Sequence, residues 1–147
     1  MKKILTVALT LIVGGNLLVA EEPPAKGFAR DIEPPEGVIL LRADKSAAKR
    51  NPLRKPITVL DVRTPEEFAS GHLEGAINID FKHPDFEKQV AQLDKNRPYL
   101  VHCGRGTRSA KARDRMKELG FTKIYHLNGG AEGWQKAGGP MVKEDKK

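Results

Sequence analysis

The chain is poor in cysteine and in aromatic side chains, with one cysteine, one tryptophan and aromatics at 5% of its 147 residues. A single cysteine cannot close an intrachain disulfide. The sparse aromatics are not interleaved with basic residues, so no stacking platform for nucleic acid is present and no nucleic-acid partner is expected. There is no internal repeat, which excludes a solenoid. Long apolar runs are missing too, except at the start, "MKKILTVALTLIVGGNLLVA". There Lys2 and Lys3 form a basic n-region, residues 4–13 an apolar h-region, and Leu18-Val19-Ala20 a cleavage site before Glu21. Interrupted at Gly14-Gly15-Asn16, this run falls short of the about 20 residues of a spanning helix. The expectation is a signal peptide over 1–20 and no membrane span after its cleavage. The protein is then exported: periplasmic if the source is Gram-negative, otherwise secreted. The rival reading is an uncleaved N-terminal anchor. Cys103 is far from the cleavage site, which rules out lipid attachment at a new N-terminal cysteine.

Lys2 and Lys3 contribute two units of the +7 formal charge, and what is left is a modest basic surface. The lone thiol says more. In an oxidising compartment an odd cysteine implies intermolecular pairing or a reactive group, and the competing reading is an inert buried side chain.

Residues 21–56 read as a Pro-rich arm broken by Pro23-Pro24, Pro34-Pro35, Pro52 and Pro56, with "GVILLRA" (37–43) as an edge strand and "DKSAAKR" as a helical turn. From Ile57 the pattern sharpens. "ITVLDV" fits a strand buried on both faces, "PEEFASG" a short helix capped by Thr64, and "GAINI" (75–79) a second strand. "PDFEKQVAQL" places Phe86, Val90 and Leu93 on one helical face, and "PYLVHC" is a third strand. "SAKARDRMKELG" is an amphipathic helix with Ala112, Met116 and Leu119 inward, and "KIYHL" is a last strand before the short helix "AEGWQKAG". Strands alternating with helices indicate an α/β fold with a mainly parallel central sheet flanked by helices. The domain is expected over 57–141, followed by a charged tail at 142–147.

In such sheets ligands bind beyond the carboxyl ends of the strands, which is where Cys103 falls. The segment "CGRGTRS" (103–109) follows it. Gly104 and Gly106 allow left-handed backbone, so that successive amides can turn toward the sulfur. Ser109 is expected to cap the next helix, whose N-terminus favours an anion, and Arg105 and Arg108 add full positive charge. Each feature favours the thiolate, so Cys103 should titrate below the free value of ~8.5. An inert packed cysteine does not account for the sole thiol, two glycines, two arginines and a helix start within seven positions.

At this point the sequence resembles the rhodanese family of sulfurtransferases. "CGRGTRS" looks like that family's C-x-x-G-x-R-[ST] loop, "LDVRTPEEFASGHLEGAINI" (60–79) is similar to its first motif, and "HLNGGAEGWQKAGGPM" (126–141) to its closing one. The resemblance implies a rhodanese-like domain acting as a thiosulfate sulfurtransferase. It implies a Cys103 persulfide intermediate, a small anionic sulfur donor, and a thiol or cyanide acceptor. An exported redox protein is a further candidate partner, and no metal or organic cofactor is implied. Arg105 matches the position where a basic residue meets the donor, Arg108 braces the loop, and the amides of Gly104, Arg105, Gly106, Thr107, Arg108 and Ser109 hold the persulfide. The alternatives are a non-catalytic sulfur-carrier or interaction module, and a cysteine-dependent phosphatase or arsenate reductase. Phosphatase loops of that kind place arginine at C-x5-R, whereas Arg108 stands at C-x4-R.

Alternation along the strand turns Asp61 and Arg63 to the same side. Arg63 is therefore both a second candidate anion contact and a candidate salt-bridge partner for Asp61. His72, His83, His102 and His126 show no ligand spacing, so no metal site is expected. Alternation points His102 away from the thiol. Trp134 is assigned to the core beneath the last helix, with lining of the site as its alternative.

Overall fold

A computed structural model describes residues 27–143; the segment read as an export signal, with 21–26 and 144–147, lies outside them. Five parallel strands form the centre: β1 (Phe28–Ile32), β2 (Thr58–Asp61), β4 (Ile77–Asn78), β5 (Tyr99–His102) and β6 (Lys123–Leu127), in the order β1-β6-β5-β2-β4. A separate antiparallel pair joins β3 (His72–Leu73) to β7 (Met141–Val142). Among the described residues no helix is long and apolar enough to cross a membrane.

Period-two alternation divides the strands between two layers of core. Leu60, Val62, Tyr99, Val101, Cys103 and Ile124 face one side, where α3 (Phe86–Val90) contributes Phe86 and Val90, and α4 (Thr107–Glu118) contributes Ala112 and Met116. Val59, Leu100, Leu127 and Ile32 face the other, against Val38 of α1 (Pro34–Arg50) and Ala131 and Trp134 of α5 (Gly130–Lys136). Each fully buried aliphatic side chain stabilises the fold by about 1.5–3 kcal/mol. Leu100, with no exposed surface, is one whose truncation to alanine would cost about 2–5 kcal/mol. Trp134 is 2% exposed and donates from Nε1 to the Pro140 carbonyl at 3.0 Å, which makes it core.

The described part of the arm expected over 21–56, residues 27–56, corrects that reading. Phe28–Ile32 is the edge strand, and "GVILLRA" lies inside the 17-residue helix α1. Pro34 and Pro35 do not break this helix, because they occupy its first turn, where no intrahelical N–H bond is lost. Pro34, Gly37, Val38 and Asp44 turn inward at helical spacing, Glu36 sits at the positive end and Lys49 and Arg50 at the negative end. The folded unit therefore begins well before Ile57. At the other end, Met141 and Val142 pair with Leu73 and His72, so the chain is ordered into the first residue assigned to the tail.

The second helix, α2 (Pro65–Ala69), begins with a full capping box. Thr64 Oγ1 accepts from the Glu67 amide at 3.3 Å, and Glu67 Oε2 accepts from the Thr64 amide at 3.1 Å. This reciprocal pair fixes Glu67 at the carboxyl edge of the sheet, beside the loop that follows β5.

Candidate active site

Cys103 follows β5 directly and is 2% exposed. The chain then turns through Gly106, at φ +109°, into α4. Only glycine takes that left-handed conformation without strain, and it points the Gly106 amide at Sγ from 3.1 Å. Gly104, expected to need the same freedom, does not adopt positive φ. Ser109 does not cap the helix. The N-cap is Gly106, and Ser109 lies in the first turn with its hydroxyl 3.5 Å from Sγ, 3.1 Å from the Gly106 carbonyl and 3.0 Å from His126 Nε2.

Burial by itself would push the Cys103 thiol up. The Ser109 hydroxyl, with the amides of Ser109, Gly106 and Arg105, outweighs it and holds the thiol below its ordinary value. The direction agrees with the expectation, and the loop amides expected to cause it do so, but the Ser109 hydroxyl joins them where the Arg105 charge was expected. Directional hydrogen bonds lower the thiol, whereas the Arg105 side chain is 82% exposed and turned toward Glu132, 3.6 Å away. Thr107 opens α4 and is exposed.

Arg108 forms a two-pronged bond to Glu67, Nη1 to Oε2 at 2.6 Å and Nη2 to Oε1 at 2.7 Å. This bond is the largest cause of a Glu67 carboxyl held at about 2. The same pairing raises Arg108, which also feels the Cys103 sulfur. Glu67 was not singled out in the sequence. Its signal was the capping box, T-x-x-E, which fixes a carboxylate at the strand ends.

A second brace comes from the closing motif. Ala131 N–H donates to the Cys103 carbonyl at 2.8 Å and Glu132 N–H to the Gly104 carbonyl at 3.1 Å. That contact requires glycine at 130, where φ is +54° and a Cβ would lie 2.3 Å from the Cys103 oxygen.

Arg63 corrects the reading as an anion contact. It is 7% exposed, and its guanidinium is spent on Asp61 (Nε to Oδ1 3.0 Å, Nη2 to Oδ2 2.6 Å) and on the Gly71 carbonyl (2.7 Å). Asp61 has no exposed surface, so the pair ties the end of β2 to the turn after α2. His102 is fully buried on the face opposite the thiol and held below its ordinary value by that burial. Its Nδ1 lies 3.1 Å from the Cys103 carbonyl, not near the sulfur. His126, by contrast, is within reach of Ser109, which sequence reasoning missed because it weighed the histidines chiefly as metal ligands. The signal was alternation: 124 and 126 share the face of 101 and 103.

A cleft of about 530 Å³ lies elsewhere, lined by Val38, Leu41, Val59, Leu73 and Trp134, with no lining residue from the 103–109 loop.

The site is thus a buried thiol in an amide cradle at the end of the central strand of an α/β domain. The family model of the rhodanese-like domain matches residues 44–137, and the chain belongs to that family. It is 41% identical over 91 residues to thiosulfate sulfurtransferase 16, chloroplastic, of Arabidopsis thaliana, covering 55% of this chain and 76% of that protein. It is 32% identical over 83 residues to the thiosulfate sulfurtransferase GlpE of Shewanella oneidensis, covering 56% of this chain and 80% of that protein. Among solved structures, a rhodanese-related protein from Thermoplasma volcanium superimposes with a TM-score of 0.59 at 30% identity, over 78% of this chain and 99% of that one.

Proposed function

We propose that this chain transfers sulfane sulfur from a small anionic donor, such as thiosulfate, to a thiol or cyanide acceptor through a Cys103 persulfide. The observation that carries the reading is the Gly106 amide aimed at Sγ from 3.1 Å, backed by the Ser109 hydroxyl. In the first half-reaction the Cys103 thiolate attacks the outer sulfur of thiosulfate. The S–S bond of the donor breaks and its electron pair leaves with sulfite, so that one negative charge stays on the outer sulfur of the persulfide. In the second, the acceptor attacks that sulfur and the pair returns to Sγ. With cyanide the product is thiocyanate. Amide hydrogens favour each anionic state in turn.

Arg105, exposed at the rim, is the proposed donor contact, and Arg108 holds the loop through Glu67. Residues 2–20 alone support an exported setting, periplasmic in a Gram-negative cell, in which an exported redox protein could supply the acceptor thiol. No cofactor beyond the persulfide is part of the proposal.

The test incubates the protein with thiosulfate and then cyanide, following thiocyanate and the intact mass. A gain of one sulfur on Cys103, lost in Cys103→Ser together with thiocyanate, is the expected result. Arg105→Ala should raise the thiosulfate KM while leaving alkylation by a neutral reagent intact. Sulfur uptake without release to cyanide would favour a carrier module. Aryl phosphate hydrolysis without sulfur uptake would overturn the reading.

A further inference from the structure

The loop carbonyl behind the thiol is oversubscribed. Gly106 O has two lone pairs, and the Ala110 amide takes one at 3.0 Å. The Ser109 hydroxyl and His126 Nε2, each 3.1 Å away, compete for the other. Ser109 can also turn to His126 Nε2 at 3.0 Å or to Cys103 Sγ at 3.5 Å. Where its single proton goes therefore depends on whether Nε2 carries one.

The other ring nitrogen is fixed by the sheet. Asp31 and His126 are register partners across β1 and β6, and His126 Nδ1 lies 3.0 Å from Asp31 Oδ1. A carboxylate only accepts, so Nδ1 carries the proton. Burial opposes the ionised form of Asp31, but Arg113 and His126 hold its carboxyl below the usual range. The ring, 3% exposed, meets Asp31 from β1, Ser109 from α4, the Gly106 carbonyl from the loop and apolar Val101 in register on β5. Arg113 and, bonded to it, Asp114 stand behind the carboxylate.

We propose that His126, oriented by Asp31, is a positioning residue that directs the Ser109 hydroxyl to the Cys103 sulfur and stores the proton the thiol releases. The proposal takes Cys103 as the working thiol and in that respect rests on the sulfurtransferase reading. When Cys103 ionises, its proton passes to Ser109 Oγ as the Ser109 proton passes to Nε2. The products are a thiolate and an imidazolium, and no proton is gained or lost. Nε2–H then donates to the Gly106 carbonyl, and the hydroxyl, excluded from that carbonyl, donates to the thiolate. With Nε2 bare, the hydroxyl turns to the imidazole or the carbonyl and the sulfur loses a donor. Asp31, half exposed at the sheet edge, connects the ring to solvent.

The test follows alkylation of Cys103 by iodoacetamide across pH, with no sulfur donor present. Near pH 6, Ser109→Ala and His126→Phe should each slow the reaction about tenfold, the worth of one hydrogen bond to a charged group. All variants should converge where the thiol is fully ionised. The double variant should be no slower than either single one, and His126→Gln, which returns an N–H near Nε2, should recover part of the loss. A merely structural role gives losses that multiply and do not depend on pH, and either result overturns the proposal. Should His126→Phe not fold, the wild-type imidazole nitrogens decide. Their NMR shifts should change at His126 when Cys103 is alkylated, and no change overturns the relay. A coupled profile without thiocyanate formation keeps the relay and removes the sulfurtransferase reading, and the opposite pair of results does the reverse.

Discussion

Glu67→Gln breaks the ion pair of the Glu67–Arg108 brace and one of its two hydrogen bonds. Glutamine keeps the shape of the side chain and, through its one oxygen, an acceptor for the Thr64 amide and Arg108 Nη1, but it removes the negative charge and sets an amide NH2 against Arg108 Nη2 where Oε1 accepts. In the native protein the Arg108 bond, against a smaller burial cost, brings the carboxyl from 4.5 to about 2. A folded-state value below the unfolded one contributes stability that is complete above the unfolded value and is lost as pH falls through the folded one. The window is therefore about pH 4.5 down to about 2. In a fully enclosed pair that displacement would be worth roughly 3 kcal/mol. Glu67 is 38% and Arg108 24% exposed, and allowing for solvent screening leaves about 1–2 kcal/mol. Urea unfolding of both proteins should show the variant weaker by that amount near pH 7, with the gap closing as the pH drops below about 4.5. A gap that stays constant into strong acid, or none at neutral pH, would refute the reasoning.

Arg63→Met leaves the Asp61 carboxylate buried and unpaired, and should lower the unfolding free energy by about 3–5 kcal/mol while leaving the thiosulfate KM of the folded fraction unchanged. A raised KM with little stability loss would return Arg63 to the donor path. Gly130→Ala combines a left-handed backbone with a contact 2.3 Å from the Cys103 carbonyl; it should cost about 2–4 kcal/mol and alter the alkylation rate of Cys103. A neutral melt would show that the α5 contact is not needed. Glu132→Gln removes the carboxylate opposite Arg105, and should raise kcat/KM for thiosulfate about two- to fourfold at low ionic strength, an advantage that disappears in concentrated salt. No salt-dependent gain would argue against Arg105 as the donor contact.

Most elements from Ile57 onward were legible because each signal was local; the short pair β3–β7 was not, because its two strands lie far apart in the chain. β-branched runs marked β2 and β5, a T-P-E-E start marked α2, and the spacing of Ala112 and Met116 marked α4. The segment before Ile57 misled because its punctuation is ambiguous. Pro34-Pro35 reads as a break, yet the same two residues are compatible with a first helical turn, and the apolar run 38–41 hides the three-and-four spacing that continues to Asp44. At the site, Cys103 and the turn at Gly106 could be read from seven residues. What could not be read was pairing across the fold. Arg108 meets Glu67 from 41 positions away, and His126 meets Asp31 from 95. Charge counted along the loop overstated the field at the sulfur, since both arginines face carboxylates that only the tertiary structure brings near.

That neutralisation bears on which group the loop can carry. Three amides and a hydroxyl act on one sulfur, which the Arg108 guanidinium also meets from within its bond to Glu67, while Arg105 stands out in solvent near Glu132. A persulfide carries a single charge on an atom covalently fixed beside Sγ. Short, directional donors match such a charge without a free cation. A phosphoryl group spreads about two charges over three oxygens and is best met by a planar guanidinium fork free to take two of them. Here that fork is already taken by Glu67, and removing Glu67 to release it would also break the cap of α2. The ion pair that holds the loop in shape thus argues for sulfur and against phosphorus as its cargo.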